Sequence, residues 1–198
     1  MTLATTDLSK AIANGPYDIV LTDPPWYYYG DPNKMAAAGK HYSLMTNEDI
    51  MALPVEKMIT KTGILFMWCT SSTLEIAIEC IKAWGMHYRG VGFVWVKTKQ
   101  DGTPMGARGV RPSIIKPLTE FVLLGSKVPK GRPMKLHDES IRQTIFAPVG
   151  AHSAKPLSVH YSIESMYPNT NKLEMFARKP QPGWTCWGNQ VLENENDT

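Results

Sequence analysis

Segments of strand period and helix period alternate along this chain of 198 residues, and the alternation predicts an α/β fold, a mostly parallel sheet with helices on both faces. Two further observations agree. The strand-like runs are short and apolar, as in Gly63–Cys69 (Gly-Ile-Leu-Phe-Met-Trp-Cys), which reads as a buried strand. The composition, 43% hydrophobic and 20% charged, suits one globular domain with a core large enough to need no covalent staples.

The first strand is expected within residues 17–26, Tyr-Asp-Ile-Val-Leu-Thr-Asp-Pro-Pro-Trp, where a short apolar run delivers Asp23 into a stiff turn. After a loop over Tyr27–Leu44, Thr46 can cap a short helix running toward Pro54. Gly63–Cys69 is the next strand. Ser72 with Glu75 reads as a capping box, and Leu74, Ala77, Ile78, Ile81 and Trp84 then keep helical spacing up to Gly85 as the stop. Strands follow at His87–Val96 and Thr119–Gly125, with a shorter one at Gln143–Ala147. Pro156 suits the first turn of a helix through Met166. Asn171–Ala177 and Trp184–Gly188 close the sheet. Gly102–Gly131, rich in glycine, proline and basic residues, is the long irregular exception, and length of that kind is usually functional or disordered. No internal repeat appears. One domain over residues 1–190 and a disordered tail over 191–198 are expected.

Three cysteines, Cys69, Cys80 and Cys186, are odd in number and far apart, which suits neither a disulfide framework nor a Cys-x-x-Cys metal site. The five histidines show no ligand spacing, so no metal is expected. The first residues lack a basic and apolar leader, and no apolar run approaches the roughly 20 residues of a membrane span. The expected location is the cytoplasm, or the nucleus of a nucleated cell. The net charge of +3 is unevenly spread. Between Lys97 and Lys135, nine basic residues face Asp101 and Glu120, a local net of +7, while the remainder carries −4. Such asymmetry suggests a polyanion-facing segment on an otherwise acidic body, with a solvated basic loop as the lesser alternative.

Asp23-Pro24-Pro25-Trp26 is the stretch that carries chemistry. Pro24 fixes its own φ and pushes Asp23 toward extended geometry, and Pro25 does the same to Pro24. The Asp23 carboxylate and the Pro24 carbonyl are thereby held as two rigid acceptors. A planar amino group on a heteroaromatic ring is a poor nucleophile because its lone pair is delocalised. Accepting both of its hydrogens favours pyramidalisation and aims the lone pair at an electrophile. Trp26, with Tyr27–Tyr29 behind it, can supply a π face for the ring. At average composition such a tetrapeptide arises at on the order of 10⁻⁵ per position, so a mere strand exit is the weaker explanation. No phosphate-cradling glycine loop is present: Gly102, Gly106 and Gly109 lack the strand-turn-helix context. No Ser-His-Asp arrangement is legible.

The tetrapeptide resembles the signature of amino-methyltransferases acting on adenine. Further matches are His41–Met45, Leu65–Trp68, Val94–Thr98, Glu120, Ser153–Pro156, Glu174–Arg178 and Trp187–Gln190. Together they identify the chain as similar to the family named for the seventy-kilodalton catalytic subunit of the messenger-RNA adenosine methyltransferase, which also holds bacterial and phage DNA adenine methyltransferases. The resemblance covers nearly the whole chain and is to the compact bacterial and phage members. It implies a Rossmann-like fold of permuted motif order that uses S-adenosylmethionine. Asp7 and Leu8 would meet the adenine end of the donor, Arg178 its ribose, and Lys155, Asn189 and Gln190 its methionine end, with Asp23 adjoining the methyl. Lys155 can pair a carboxylate, and the two amides can both donate and accept. Trp26, Tyr27, His41, Tyr42 and Glu120 would line the target-base pocket, and Arg108 and Arg111 would meet the nucleic acid. Ala154 departs from the histidine common in the Ser-His-Lys-Pro version, and Lys179-Pro180-Gln181 departs from the usual polar pair.

The expected reaction is direct transfer of methyl to the N6 amine of adenine, with DNA favoured over RNA as partner. A flipped-out amine would be held by Asp23 and Pro24, and its surplus proton would leave to water. A homodimer or a partner subunit is possible, because no separable recognition domain is visible. Two alternatives stay open: a non-catalytic nucleic-acid-binding subunit, and a methyltransferase for a small molecule or protein amide.

Overall fold

The computed structural model describes residues 2–26, 45–106, 115–150 and 154–191. Eight strands of the described residues form one sheet: β1 (Leu3–Thr5), β2 (Tyr17–Thr22), β3 (Ile59–Thr70), β4 (His87–Thr98), β5 (Thr119–Ser126), β6 (Thr144–Pro148), β7 (Lys172–Met175) and β8 (Thr185–Trp187). Among the described residues five α-helices accompany them: α1 (Leu8–Ala13), α2 (Asn47–Met51), α3 (Val55–Met58), α4 (Leu74–Ala83) and α5 (Ser158–Met166). The strand order is β1-β8-β7-β2-β3-β5-β4-β6. Every neighbouring pair is parallel except those of β5, which runs antiparallel to both β3 and β4. The expected mostly parallel α/β architecture is what the chain adopts.

Period-2 alternation divides the sheet residues between two cores. Val20, Leu65, Met67 and Leu123 pack with Ala77, Cys80 and Ile81 of α4 on one face. Ile19, Leu21, Phe66, Trp68, Val122 and Trp95 pack with Val159 and Ile163 of α5 on the other. Large side chains buried this way contribute about 1.5–3 kcal/mol each. Ile19 and Leu21 of β2, and residues two apart such as Phe66 and Trp68 of β3 and Phe93 and Trp95 of β4, therefore share the α5 face. That rule decides what meets at the sheet's end.

Several local expectations are met. Thr46 caps α2, its hydroxyl accepting from Asp49 N–H at 3.1 Å, and Gly85 follows α4 with φ of +70°. Others need correction. The capping box before α4 is built by Thr70 and Thr73 around a 3₁₀ turn at Ser71–Thr73, not by Ser72 and Glu75, because the chain leaves β3 in a tighter turn than an α-helix start. Pro156 precedes α5 by two residues, and its carbonyl accepts Val159 N–H at 3.2 Å. β1, α1 and α3 were not anticipated, since three to six residues are too few to display a period. Val191, among the last of the described residues, is fully buried in the α5-side core.

Candidate active site

A cleft opens where the parallel strands end. It is lined by Asp23, Pro24, Pro25 and Trp26 after β2, Cys69 and Thr70 at the end of β3, Glu120 at the start of β5, Lys155 before α5, Phe176–Arg178 after β7, and Asn189 and Gln190 after β8. Ligands of open α/β sheets bind at the carboxyl ends of strands. Glu120 joins them from the beginning of its strand only because β5 is antiparallel: Thr70 pairs with Glu120 on one side and Trp95 on the other.

The turn after β2 is held from both ends. Trp26 N–H donates to the Pro24 carbonyl at 2.8 Å, which fixes the direction of that carbonyl and leaves it a second lone pair. The Trp26 indole is only 6% exposed, packs in the α4-side core and donates its N–H to the Trp68 carbonyl at 3.2 Å. Trp26 thus lines the cleft as an anchor for the turn, with little ring face left for stacking.

Lys155 stands at the centre of the charges. Its Nζ lies 2.8 Å from Asp23 Oδ2 and 3.3 Å from Glu120 Oε2. Lys97 Nζ reaches the other Glu120 oxygen, Oε1, at 2.5 Å. Two tryptophans floor these lysines. Lys155 Nζ is 5.6 Å from the Trp68 ring centroid and Lys97 Nζ 5.1 Å from that of Trp95, within cation–π range, and the two rings meet edge to face at 6.2 Å. Burial pushes the Lys155 ammonium down, but Asp23 and Glu120 outweigh it and hold the group above its ordinary value. Burial likewise raises the Glu120 carboxyl, while Lys155 and Lys97 together bring it below the usual glutamate value. The Cys69 thiol, buried and beside Glu120, is pushed up to about 12, so it carries no thiolate for nucleophilic work.

The opposite wall depends on a close backbone approach. Ala177 N–H donates to the Trp187 carbonyl at 2.9 Å, and Gly188 N–H donates to Thr5 O at 3.2 Å. A Cβ on Gly188 would lie 2.1 Å from Ala177 O and 2.6 Å from Ala177 N, so only glycine fits there. Phe176 adopts φ of +61°, an unusual value for a bulky residue and of order 1–3 kcal/mol in cost, with its ring tilted on Trp187 at 5.2 Å. This crossing carries Arg178 and Asn189–Gln190 into the cleft.

Of the residues expected at a site, Asp23, Pro24, Pro25, Trp26, Glu120, Lys155, Arg178, Asn189 and Gln190 converge here. Asp7 and Leu8 do not line the cleft. Asp7 caps α1 by accepting Ser9 N–H at 2.8 Å, and Leu8 packs against the α4-side core. Tyr27, His41, Tyr42, Arg108 and Arg111 lie outside the described residues. Cys69, Thr70, Phe176 and Ala177 were not singled out by sequence, and nor was the bond from Lys97 to Glu120. All but Thr70 stand inside or beside the matched segments, but no spacing rule marks which strand neighbour faces a cleft. Among the described residues no cluster of three or more His, Cys, Asp or Glu could hold a metal ion, and no helix is long and apolar enough to cross a membrane.

Comparison with known proteins places this arrangement. The MT-A70 family matches residues 17–190. The chain is 29% identical to the type II methyltransferase M.MunI of Mycoplasma sp, over 90% of this chain and 79% of that protein. It is 31% identical to the N(6)-adenosine-methyltransferase MT-A70-like protein of Drosophila melanogaster, over 89% of this chain but 27% of the other. With human METTL3, an N(6)-adenosine-methyltransferase catalytic subunit, it is 29% identical and spans 28% of that length. The matched span contains every residue that lines the cleft, and this chain belongs to the MT-A70 family of methyltransferases.

Proposed function

We propose that the cleft moves a methyl group from S-adenosylmethionine to the N6 amine of adenine in nucleic acid, with DNA taken ahead of RNA. The observation that carries this reading is the placement of the Asp23 carboxylate at the cleft, beside a nearly buried lysine and a carbonyl of fixed direction. DNA is put first because the chain resembles the compact bacterial and phage members of the family and covers 79% of M.MunI against 27% of the fly protein.

The donor groups present suit that cofactor. A molecule with an amino-acid end and a ribose needs a cation for its carboxylate, amides for its ammonium and carboxylate, and donors or acceptors for its hydroxyls. Lys155, Asn189 with Gln190, and Arg178 all line the cleft and can supply these. Asp7 and Leu8, at the same end of the sheet, are assigned to its adenine. When bound, S-adenosylmethionine supplies an electrophilic methyl on a sulfonium.

The protein's own work is positioning. Asp23 accepts one hydrogen of the target amine and the free lone pair of the Pro24 carbonyl accepts the other, which turns the nitrogen lone pair outward. As the amine gains positive charge, the Asp23 carboxylate faces it without having to remove a proton first. The surplus proton then leaves to water. Glu120, with Tyr27, His41 and Tyr42, is assigned to the target base, Trp26 acting on it through the turn it anchors, and Arg108 and Arg111 are assigned to its flanking phosphates. Completion of the recognition surface by a second copy or a partner subunit is part of the same proposal.

The test is transfer of labelled methyl from S-adenosylmethionine to matched adenine-containing DNA and RNA oligonucleotides. Asp23→Asn replaces the charged acceptor by a neutral group able to donate, and turnover should fall by at least about a hundredfold, since loss of one preorganised partner costs of order 3 kcal/mol. Activity within about threefold of wild type, only about 0.7 kcal/mol, would sink the assignment.

A further inference from the structure

Lys97 lies outside the set that would meet donor or target, yet it is the second cation of the cleft's charge chain. On β4, Phe93, Trp95 and Lys97 alternate onto the α5 face. Trp95 pairs in register with Glu120, so Lys97 reaches past its own tryptophan to that carboxylate. The two Glu120 oxygens are divided: Oε1 takes Lys97 at 2.5 Å and Oε2 takes Lys155 at 3.3 Å. Lys155 is divided as well, and its shorter contact, 2.8 Å, is to Asp23.

That division matters once a ligand competes. Any carboxylate-bearing molecule that draws Lys155 away strips Asp23 and Glu120 of their shared cation at once. Asp23 then gains the freedom to accept an amine. Glu120, with 13% of its side chain exposed, would be left as a nearly buried carboxylate with no partner, a costly state that protonation relieves. Lys97 prevents this, because its bond is made to the other oxygen and does not involve Lys155. The ammonium is itself held, over the Trp95 ring at 5.1 Å, and that indole is tied by its N–H to the Ala147 carbonyl at 2.9 Å.

We infer that Lys97 is a positioning residue that keeps Glu120 ionised and aligned toward the target while Lys155 is committed to the donor. The inference rests on the methyltransferase reading of the cleft for its purpose, but the charge coupling it describes belongs to the unliganded protein. Among the described residues, the groups facing Glu120 are Lys97 on β4, Lys155 ahead of α5 and the uncharged Cys69 thiol on β3, with Asp23 one step further through Lys155. Removing Lys97 therefore leaves burial opposed by Lys155 alone. The Glu120 carboxyl must titrate higher, and the acid limb of target methylation must move to higher pH.

The experiment compares wild type, Lys97→Met and Lys97→Arg by three readouts. The first is ¹³C-carboxyl NMR titration of Glu120, assigned with Glu120→Gln, in protein without ligand. The others are calorimetric affinity for S-adenosylmethionine and the pH profile of kcat/KM on an adenine-containing DNA oligonucleotide. Lys97→Met should raise the Glu120 titration and shift the acid limb with it. It should lower kcat/KM at neutral pH by about tenfold or more, the size of a lost hydrogen bond to a charged group, with donor affinity kept within about twofold. Lys97→Arg, which keeps the charge and can stack on Trp95, should restore most of both. An unshifted Glu120 titration in Lys97→Met overturns the coupling, whatever the activity. A shifted titration with unchanged kcat/KM and acid limb overturns the role in target handling while leaving the methyltransferase reading standing. Wild type that binds no S-adenosylmethionine and methylates no oligonucleotide overturns both. Should Lys97→Met fail to fold, Lys97→Gln carries the same comparison.

Discussion

Gly188→Ala is the smallest change that should damage the donor wall, and its size follows from the backbone. The added Cβ would fall 2.1 Å from Ala177 O, 2.6 Å from Ala177 N and 2.9 Å from Ala177 C. Ordinary carbon contacts begin near 3.5 Å, so the strand ends must part by over 1 Å. None of the three atoms belongs to a side chain that could rotate aside. The separation also strains the Ala177-to-Trp187 hydrogen bond at 2.9 Å and the Gly188-to-Thr5 bond at 3.2 Å, which join β7, β8 and β1. Overpacking of this kind costs about 1–3 kcal/mol, and weakening the two bonds adds about 1 kcal/mol. In a domain of this size each kcal/mol lowers Tm by about 2–4 °C, so a fall of roughly 5–15 °C is expected in thermal unfolding. Because Arg178 follows Ala177 and Asn189 follows Gly188, affinity for S-adenosylmethionine by calorimetry should fall by tenfold or more at a temperature where the variant is folded. Gly106→Ala, where nothing lies within 4 Å of the added Cβ, is the control and should leave Tm and affinity alone. A Tm within about 1 °C of wild type, with unaltered donor affinity, would refute the claim that this crossing shapes the cleft.

Other outcomes follow from the same geometry. Lys155→Ala and Asn189→Ala should each weaken donor binding in calorimetry, while Trp26→Ala, by releasing the turn tied to the Trp68 carbonyl, should chiefly lower target methylation. The reverse pattern would show the donor map to be misassigned. Glu120 titrates below its ordinary value of 4.5 in the folded chain, so its contribution to stability is present above that value and is lost as pH falls through the lower folded one. Lys155 titrates above its ordinary 10.5, so its contribution is present below 10.5 and is lost as pH rises through the higher folded value. Unfolding midpoints across pH for wild type and Glu120→Gln should therefore converge in acid, and parallel curves would refute the coupling. Neutralising Arg108 and Arg111 together should flatten the salt dependence of oligonucleotide binding by up to about 1.5 in the log-log slope, donor affinity being unchanged. An unaltered slope would move the nucleic-acid surface elsewhere.

What the sequence determined by itself was whatever repeats over a short distance. Ile19, Leu21 and Asp23 lie two apart, so a strand that buries the first two on the α5 side must present the third at its end on that side. Leu74, Ala77, Ile81 and Trp84 keep one helical spacing, and α4 buries Ala77 and Ile81 against the sheet, with Leu74 half-buried at its start and Trp84 buried just past its end, its indole N–H donating to the Ile50 carbonyl. The two prolines after Asp23 stiffen the turn through bonded geometry alone. Tertiary structure decided the rest. No local pattern says that β5 runs antiparallel, yet that choice turns Glu120 from the far end of a strand into a neighbour of Asp23. Nor does local pattern show that Lys155 sits between the two carboxylates, or that Lys97 holds the second of them. Trp26 read as a free aromatic platform, and the core claimed all but 6% of its surface. Gly188 read only as the last residue of a closing strand, although the Ala177 backbone leaves it no room for a Cβ. Periodicity is a property of neighbours in the chain, fixed by bond geometry. Partners dozens of residues or more apart are chosen by which strands pair and how the two cores close, and those energies are shared over the whole sheet rather than written in any one segment.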